Sequence, residues 1–368
     1  MRKRILILTA GFGEGHNAAA RGIAAGLAAV APQTAEVELH DLFAETYGLT
    51  NDWARQIYLT LINRAPRAWA SIYNWIDRRE RFGGKLAFLF QLKKRLRELL
   101  ARFEPDVVVS VYPAYPHLLE EIVGATPARF RRVVCITDSL TINTIWFRVA
   151  TDLFFLPNEQ SAEVLRAAGV PNDRLHVTGF PVSPVFVQLG ELRQAPSRAY
   201  GRRILYMLNA GRVIVPEIIH RLAQIPNSRL TITVGRNKRL RKAVETLNKT
   251  AARKFEIVGW SDQLPRLMLE SHLLISKAGG ATVQETIAAR CPMIVNQIVP
   301  GQEEGNARLL ETTGCGVIAT EADAIVGAVE AAFADDARLW REWSENISRL
   351  SRPAASLEIA EQLLALAN

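Results

Sequence analysis

The sequence predicts an α/β protein built from two doubly wound parallel-sheet domains. Three observations lead there. Short apolar runs alternate with helical segments along most of the chain, the pattern of parallel strands joined by crossover helices. The alternation lapses once, around Gln188 to Gly201, and then restarts. At 368 residues the chain exceeds what a single core ordinarily holds.

The elements follow in order. Arg4 to Thr9 is a continuous apolar strand, a glycine loop follows, and Ala18 to Ala31 is an alanine-rich helix. Val37 to Leu42, Asp106 to Val111, Val133 to Thr137 and Asp152 to Leu156 are further strands. Ser161 to Ala168 is a helix ended by Gly169, and Arg174 to Thr178 is the last strand before Gly179-Phe180-Pro181. After the polar lapse come Ile204 to Leu208, Arg229 to Val234, Phe255 to Val258, Leu273 to Ser276 and Met293 to Gln297. The chain closes on helices within Ala337 to Leu366, which carry Trp340 and Trp343 and are interrupted by Pro353.

Composition bounds the class. Apolar residues make up 49% and charged residues 22%, ordinary for a soluble globular protein. Cys135, Cys291 and Cys315 are too widely spaced for a metal pattern or a disulfide framework, which fits a reducing compartment. Met1-Arg2-Lys3-Arg4 before Ile5 to Leu8 looks superficially like a secretory leader, but the apolar run is too short and a first strand is expected instead. No run approaches the ~20 apolar residues of a membrane span. The net charge of +8 is concentrated: between Trp53 and Arg102 there are 12 Arg and Lys against three acids, Asp77, Glu80 and Glu98.

Two loops in the second half carry the strongest chemical signal. Ile275-Ser276-Lys277-Ala278-Gly279-Gly280-Ala281-Thr282 reads as a strand, a glycine turn and a helix running from about Thr282 to Ala289. That order presents free backbone N–H groups and a positive helix end to an anion. Glu285 is expected in the first turn, where its carboxylate can accept hydrogen bonds from a ribose. A second polar loop, Pro300 to Asn306, follows the next strand. Adjacent strand ends with polar loops are where a parallel sheet binds nucleotides. Two ordinary turns would use Gly and Pro for steric reasons, but they have no need of Gln302, Glu303 and Asn306 together.

The first glycine loop, Thr9-Ala10-Gly11-Phe12-Gly13-Glu14-Gly15-His16-Asn17, is a poor dinucleotide fingerprint. Asp41 supplies an acid at a suitable distance, yet His16 occupies the third glycine position. A nicotinamide-dependent oxidoreductase is disfavoured on that ground. Two readings of His16 stand: a base taking a proton from an incoming hydroxyl outside the strand ends, or a residue that only caps the helix.

These residues resemble the glycosyltransferases that build glycosyl-diacylglycerols, namely the monogalactosyldiacylglycerol synthases and the processive diacylglycerol glucosyltransferases. Gly13-Glu14-Gly15-His16-Asn17-Ala18-Ala19 is similar to the family's G-G-G-H motif, and Thr137-Asp138 with Trp146 to its T-D-x5-H-x2-W stretch. Gly179-Phe180-Pro181-Val182 matches G-I/L-P-V/I, and Gly235-Arg236-Asn237 matches G-R/K/N-N. Lys277 to Thr282 resembles K-A-G-P/G-x-T, and Pro300 to Asn306 resembles P-G-Q-E-x-G-N. Two departures stand out. Asn143 replaces the histidine of the T-D stretch, and the glycine-rich turn after the first strand of the second domain is reduced to Asn209-Ala210-Gly211-Arg212.

The resemblance implies a GT-B fold, with two Rossmann-like domains facing a cleft. Residues 1–195 would bind the acceptor, residues 196–344 the donor, and the terminal helices, about 345–368, would pack back on the first domain. It implies an inverting transfer of a hexose from a UDP-sugar to diacylglycerol or a glycosyl-diacylglycerol, with no metal and no cofactor. His16 would be the base, with Asp138 orienting it or a water. The donor would be held by Gly211, Arg212, Gly235, Asn237, Lys277, Ala278, Gly279, Gly280, Ala281, Thr282, Glu285, Gly301, Gln302, Glu303 and Asn306. Gly15, Asn143, Trp146 and Pro181 would line the acceptor side.

The basic segment bears on the acceptor. Trp69 and Trp75, interleaved with Arg78, Arg79 and Arg81, suit an anionic membrane surface, placing the protein in the cytoplasm against the inner face of the membrane. An amphipathic helical pair with its aromatics in the core is the plain alternative. Nucleic acid would accept such a patch, but no nucleic-acid-binding motif accompanies it. Two rival functions remain: transfer to a polyprenyl-linked or other lipid, and a non-catalytic nucleotide-binding protein if Asn143 and Arg212 mark lost activity.

Overall fold

The structure is a computed structural model that describes residues 2–48, 89–124, 128–138, 142–197, 201–208, 215–299 and 303–367. It divides into two units. One comprises the residues up to Pro184 together with those from Arg352 onward; the other comprises Val185–Val299 with Glu303–Ser351.

The first unit holds a six-stranded sheet of β1 (Lys3–Thr9), β2 (Ala35–Asp41), β3 (Val107–Ser110), β4 (Arg131–Cys135), β5 (Leu153–Leu156) and β6 (Leu175–Val177), ordered β2-β1-β3-β4-β5-β6. Every pairing in it is parallel. Ile5 to Leu8 have no exposed surface, as expected where helices cover both faces and a strand reads as one apolar run. The second unit repeats the plan with β7 (Arg202–Met207), β8 (Ser228–Thr233), β9 (Glu256–Val258), β10 (Leu273–Lys277), β11 (Met293–Gln297) and β12 (Gly316–Ile318). Their order is β12-β11-β10-β7-β8-β9, again all parallel. The strand that sequence periodicity does not reveal is β12, an edge strand of three residues that begins with glycine.

Each order reverses direction once, between β1 and β3 in the first sheet and between β7 and β10 in the second. Crevices open outside the carboxyl ends of strands at such switch points. The glycine loop at 10–13 and the loop after β3 sit at the first; the glycine turn after β10 sits at the second.

The helix Glu14–Val30 locks the first unit together through small residues. A Cβ added at Gly22 would lie 1.8 Å from the Pro181 carbonyl oxygen, and one at Gly26 would lie 2.1 Å from that of Ser356. Glycine thus lets two other segments reach this helix: the Gly179–Val182 loop, and the terminal helix Ala355–Leu366. Lys3 Nζ adds a 2.7 Å bond to the Leu364 carbonyl.

The described end of the basic segment is the helix Leu89–Phe103. It buries Leu92, Leu96, Leu99 and Phe103 in a helical stripe, while Phe90 is 65% exposed. Lys93 pairs with Glu121, and Arg102 makes two bonds to Glu38, at 2.9 and 2.5 Å. This helix is amphipathic, with its leucines inward and Phe90 outward; Trp69, Trp75, Arg78, Arg79 and Arg81 lie outside the described residues. Among the described residues no helix is long and apolar enough to cross a membrane.

Candidate active site

In the first unit, His16 stands in the first turn of the helix that follows β1. Its half-buried ring is boxed by aromatics: Tyr112 meets it edge-on at 5.1 Å between centroids, and Trp146 lies tilted at 6.0 Å. The Nδ1 atom is 3.0 Å from the hydroxyl of Thr137, which follows β4. The cap position of that helix is Gly13, which carries no side chain, and the His16 ring turns instead to Thr137. Gly15, one residue before the histidine, has open space where a Cβ would project.

Asp138 lies beside the same cluster. Its Oδ2 accepts a 2.7 Å hydrogen bond from the Trp146 indole Nε1–H, while the Thr137 hydroxyl meets His16. Asp138 reaches the histidine through charge. Burial pulls the His16 imidazole below its ordinary 6.5, and the Asp138 carboxylate and the Val111 backbone pull it partly back. Burial raises the Asp138 carboxyl in turn, opposed by His16 and the indole bond.

Asn143 has a local role. Its Oδ1 accepts from the Ile145 N–H at 2.9 Å, capping the short turn Thr144–Trp146 that carries Trp146. The His117 ring bonds the Ile145 carbonyl at 2.8 Å. Pro181 is buried and packs its carbonyl over Gly22. Asp41, the acid a dinucleotide site would need, accepts the Gly11 N–H at 2.8 Å and the Ala44 N–H at 3.0 Å, so it braces the loop itself.

In the second unit the helix after β10 spans Gly280–Ala289. Its first intrahelical bond runs from Val283 N–H to the Gly279 carbonyl, 2.9 Å, leaving the N–H groups of Gly280, Ala281 and Thr282 ahead of the helical ladder. Because the helix starts at Gly280, earlier than its sequence suggests, Glu285 falls in the second turn and not in the first. It is half-buried on the face that also carries Ala281 and Thr282.

Beneath the glycine turn, Lys277 Nζ pairs with Glu303, whose other oxygen accepts the Val299 N–H at 3.0 Å. Glu303 is only 5% exposed. Asn306 Nδ2 donates to the Ala278 carbonyl at 3.2 Å, tying the second loop to the first. A Cβ at Gly279 would sit 3.1 Å from Lys277 Nζ, and one at Gly280 3.6 Å from Asn306 Nδ2. Lys277, Ala278, Gly279, Gly280, Glu303 and Asn306 therefore form one cluster.

Gly235 and Asn237 lie apart from that cluster along the chain, after β8. Gly235 takes a positive φ of 54°, and Asn237 Oδ1 caps the helix Lys238–Thr250 by accepting from Leu240 N–H at 3.0 Å. Next to them Arg236 stacks 4.1 Å over the exposed ring of Trp260. Gly211, Arg212, Gly301 and Gln302 lie outside the described residues. Sequence reasoning passed over Thr137 and Tyr112 as site residues. The Thr-Asp pair after β4 was the available signal, but only the fold shows that its threonine faces His16.

Known proteins resemble the chain in both halves. Residues 16–182 match the family of monogalactosyldiacylglycerol (MGDG) synthase, and residues 212–348 match the C-terminal domain of glycosyltransferase family 28. A processive diacylglycerol beta-glucosyltransferase of Bacillus mycoides (strain KBAB4) is 25% identical over 376 residues, covering 98% of this chain and 93% of the relative. Its counterpart in Bacillus cereus (strain B4264) is 24% identical over the same extent. Among solved structures, MurG of Acinetobacter baumannii superposes with a TM-score of 0.63 at 15% identity, over 99% of both chains. The glycotransferase of kitacinnamycin gives 0.64 at 12% identity over 100% of both. A UDP-N-acetylglucosamine 2-epimerase gives 0.61 at 15%, over 99% of this chain and 96% of that one. The expected fold class holds: two doubly wound parallel-sheet domains of the GT-B kind.

Proposed function

Because the chain belongs to the glycosyltransferases typified by monogalactosyldiacylglycerol synthase and the processive diacylglycerol glucosyltransferases, we propose that it moves a hexose from a UDP-sugar to diacylglycerol, or to a glycosyl-diacylglycerol, at an anionic membrane surface. The observation that carries this reading is His16, boxed at the switch point of the first sheet with its Nδ1 hydrogen-bonded. The second sheet supports it with a glycine-led helix end suited to a diphosphate at its own switch point.

On this reading the N–H groups of Gly280 to Thr282 receive the diphosphate, and Glu285 takes the ribose hydroxyls from the second turn. The Lys277–Glu303 pair and Asn306 hold the glycine turn in shape and offer polar groups to the sugar or the nearer phosphate. The acceptor hydroxyl attacks the anomeric carbon as the bond to the UDP oxygen breaks. Its proton passes to His16, and the electron pair of the broken bond leaves on UDP. A single displacement inverts the configuration. Backbone dipoles at the helix end meet the charge that develops on the leaving group. Asp138 stabilises the imidazolium by charge, fixed in place by Trp146.

Diacylglycerol vesicles incubated with UDP-glucose, UDP-galactose or UDP-N-acetylglucosamine, followed by mass spectrometry of the lipids, test the proposal. A glycosyl-diacylglycerol from one donor is expected and names the sugar. Product only from a polyprenyl-linked acceptor would replace the acceptor, and UDP binding without product from any lipid would replace the transferase reading altogether.

A further inference from the structure

We propose that Thr137 is the positioning residue of the reaction: its hydroxyl accepts the Nδ1–H of His16 and so directs the lone pair of Nε2 toward the acceptor. The inference rests on His16 being the base, and it assigns to Thr137 the orienting task that the neighbouring acid would ordinarily be given. The geometry behind it is direct. Thr137 Oγ1 lies 3.0 Å from His16 Nδ1, whereas the Asp138 carboxylate is engaged by the Trp146 indole at 2.7 Å.

A neutral imidazole has one N–H and one lone pair, and the partner of one nitrogen fixes which is which. A threonine hydroxyl can accept as well as donate, so it is able to hold the proton on Nδ1. The ring plane is fixed separately, by Tyr112 edge-on at 5.1 Å and Trp146 at 6.0 Å. The Val111 backbone also hydrogen-bonds the ring, and the Thr137 hydroxyl is the side-chain partner that holds Nδ1. When the acceptor's proton arrives at Nε2, the ring becomes an imidazolium. Its Nδ1–H···Oγ1 bond then turns charge-assisted, which favours the protonated state over the starting one. Three strand ends meet in this arrangement: His16 follows β1, Tyr112 follows β3 and Thr137 follows β4.

Thr137→Val keeps the shape and removes the hydroxyl; Thr137→Ser keeps the hydroxyl. With diacylglycerol vesicles and the productive UDP-sugar, Thr137→Val is expected to lower kcat roughly 10–100-fold, the scale of a misaligned catalytic group. UDP affinity should stay unchanged and Thr137→Ser should restore most of the rate. Nitrogen-15 NMR of histidine-labelled protein gives a readout that does not depend on turnover: His16 is expected to be protonated on Nδ1 in the wild type and to lose that preference in Thr137→Val. Full activity in Thr137→Val, or equal loss in Thr137→Ser, would overturn the assignment. His16→Ala separates the two claims. If it is inactive while Thr137→Val is active, only the role of Thr137 falls; if it is active, the reading of His16 as base falls as well.

Discussion

A base must be unprotonated before it acts, and burial gives His16 that property. Its imidazole is held below the ordinary 6.5, so the neutral form persists into mildly acidic solution. The acid limb of the kcat/KM profile is accordingly expected below pH 6.5, with the rate falling as pH drops through the lowered value. Asp138→Asn should move that limb to still lower pH, because the carboxylate is what raises the histidine. His16→Ala should cut turnover by roughly 10²–10⁴-fold and leave UDP binding nearly intact, as a lost general base does. Glu285→Ala should instead weaken UDP binding, which calorimetry with UDP alone reads directly; unchanged affinity would remove the ribose role. At this scale the sequence showed which residues are chemical but not which touch. His16 was legible from its place after a glycine loop, whereas its contact with Thr137 joins residues more than a hundred positions apart and depends on strand order.

The helix Glu14–Val30 carries the histidine and owes its seating to two glycines. Gly22→Ala would drive a methyl group to within 1.8 Å of the Pro181 carbonyl, a backbone atom that cannot rotate away. The expected loss is about 1–3 kcal/mol, the usual scale of overpacking. Gly15→Ala, in the same helix with nothing within 4 Å, should leave stability unchanged or slightly raised, and urea unfolding of the pair checks both. A second element holds strain of a different kind. The helix Ala322–Leu350 is broken at 334–337, where Asp335, Asp336 and Ala337 take positive φ of 48°, 56° and 59°. Left-handed backbone disfavours residues with a Cβ, so the exposed Asp335→Gly should gain up to ~1 kcal/mol. Asp335→Val should lose stability. The terminal helices expected from the sequence start at Ala337, at the break itself, and leave out the helical residues before it, where no glycine or proline marks the change.

Over the whole molecule, the fold was readable because parallel strands buried on both faces leave continuous apolar runs, and the alternation of those runs with helices repeats twice. What escaped was the edge strand β12, too short to show a period. Acid stability also belongs to this scale. His272, 1% exposed, accepts the Arg203 N–H on Nδ1 and is pushed down to about 4 by burial and by Arg203. A folded-state value below the unfolded one means that stability is fully present above pH 6.5 and is lost as pH falls toward 4. By pH 5 the loss from this residue is about 2 kcal/mol. Urea unfolding at pH 7.5 and 5 should show a smaller difference in His272→Asn, whose amide oxygen replaces the Nδ1 acceptor. The central claim concerns transfer itself, and the initial rate of UDP release on vesicles with and without diacylglycerol tests it most directly. Release that requires diacylglycerol and collapses in His16→Ala is the predicted result; release indifferent to the lipid, or unchanged in His16→Ala, would contradict it.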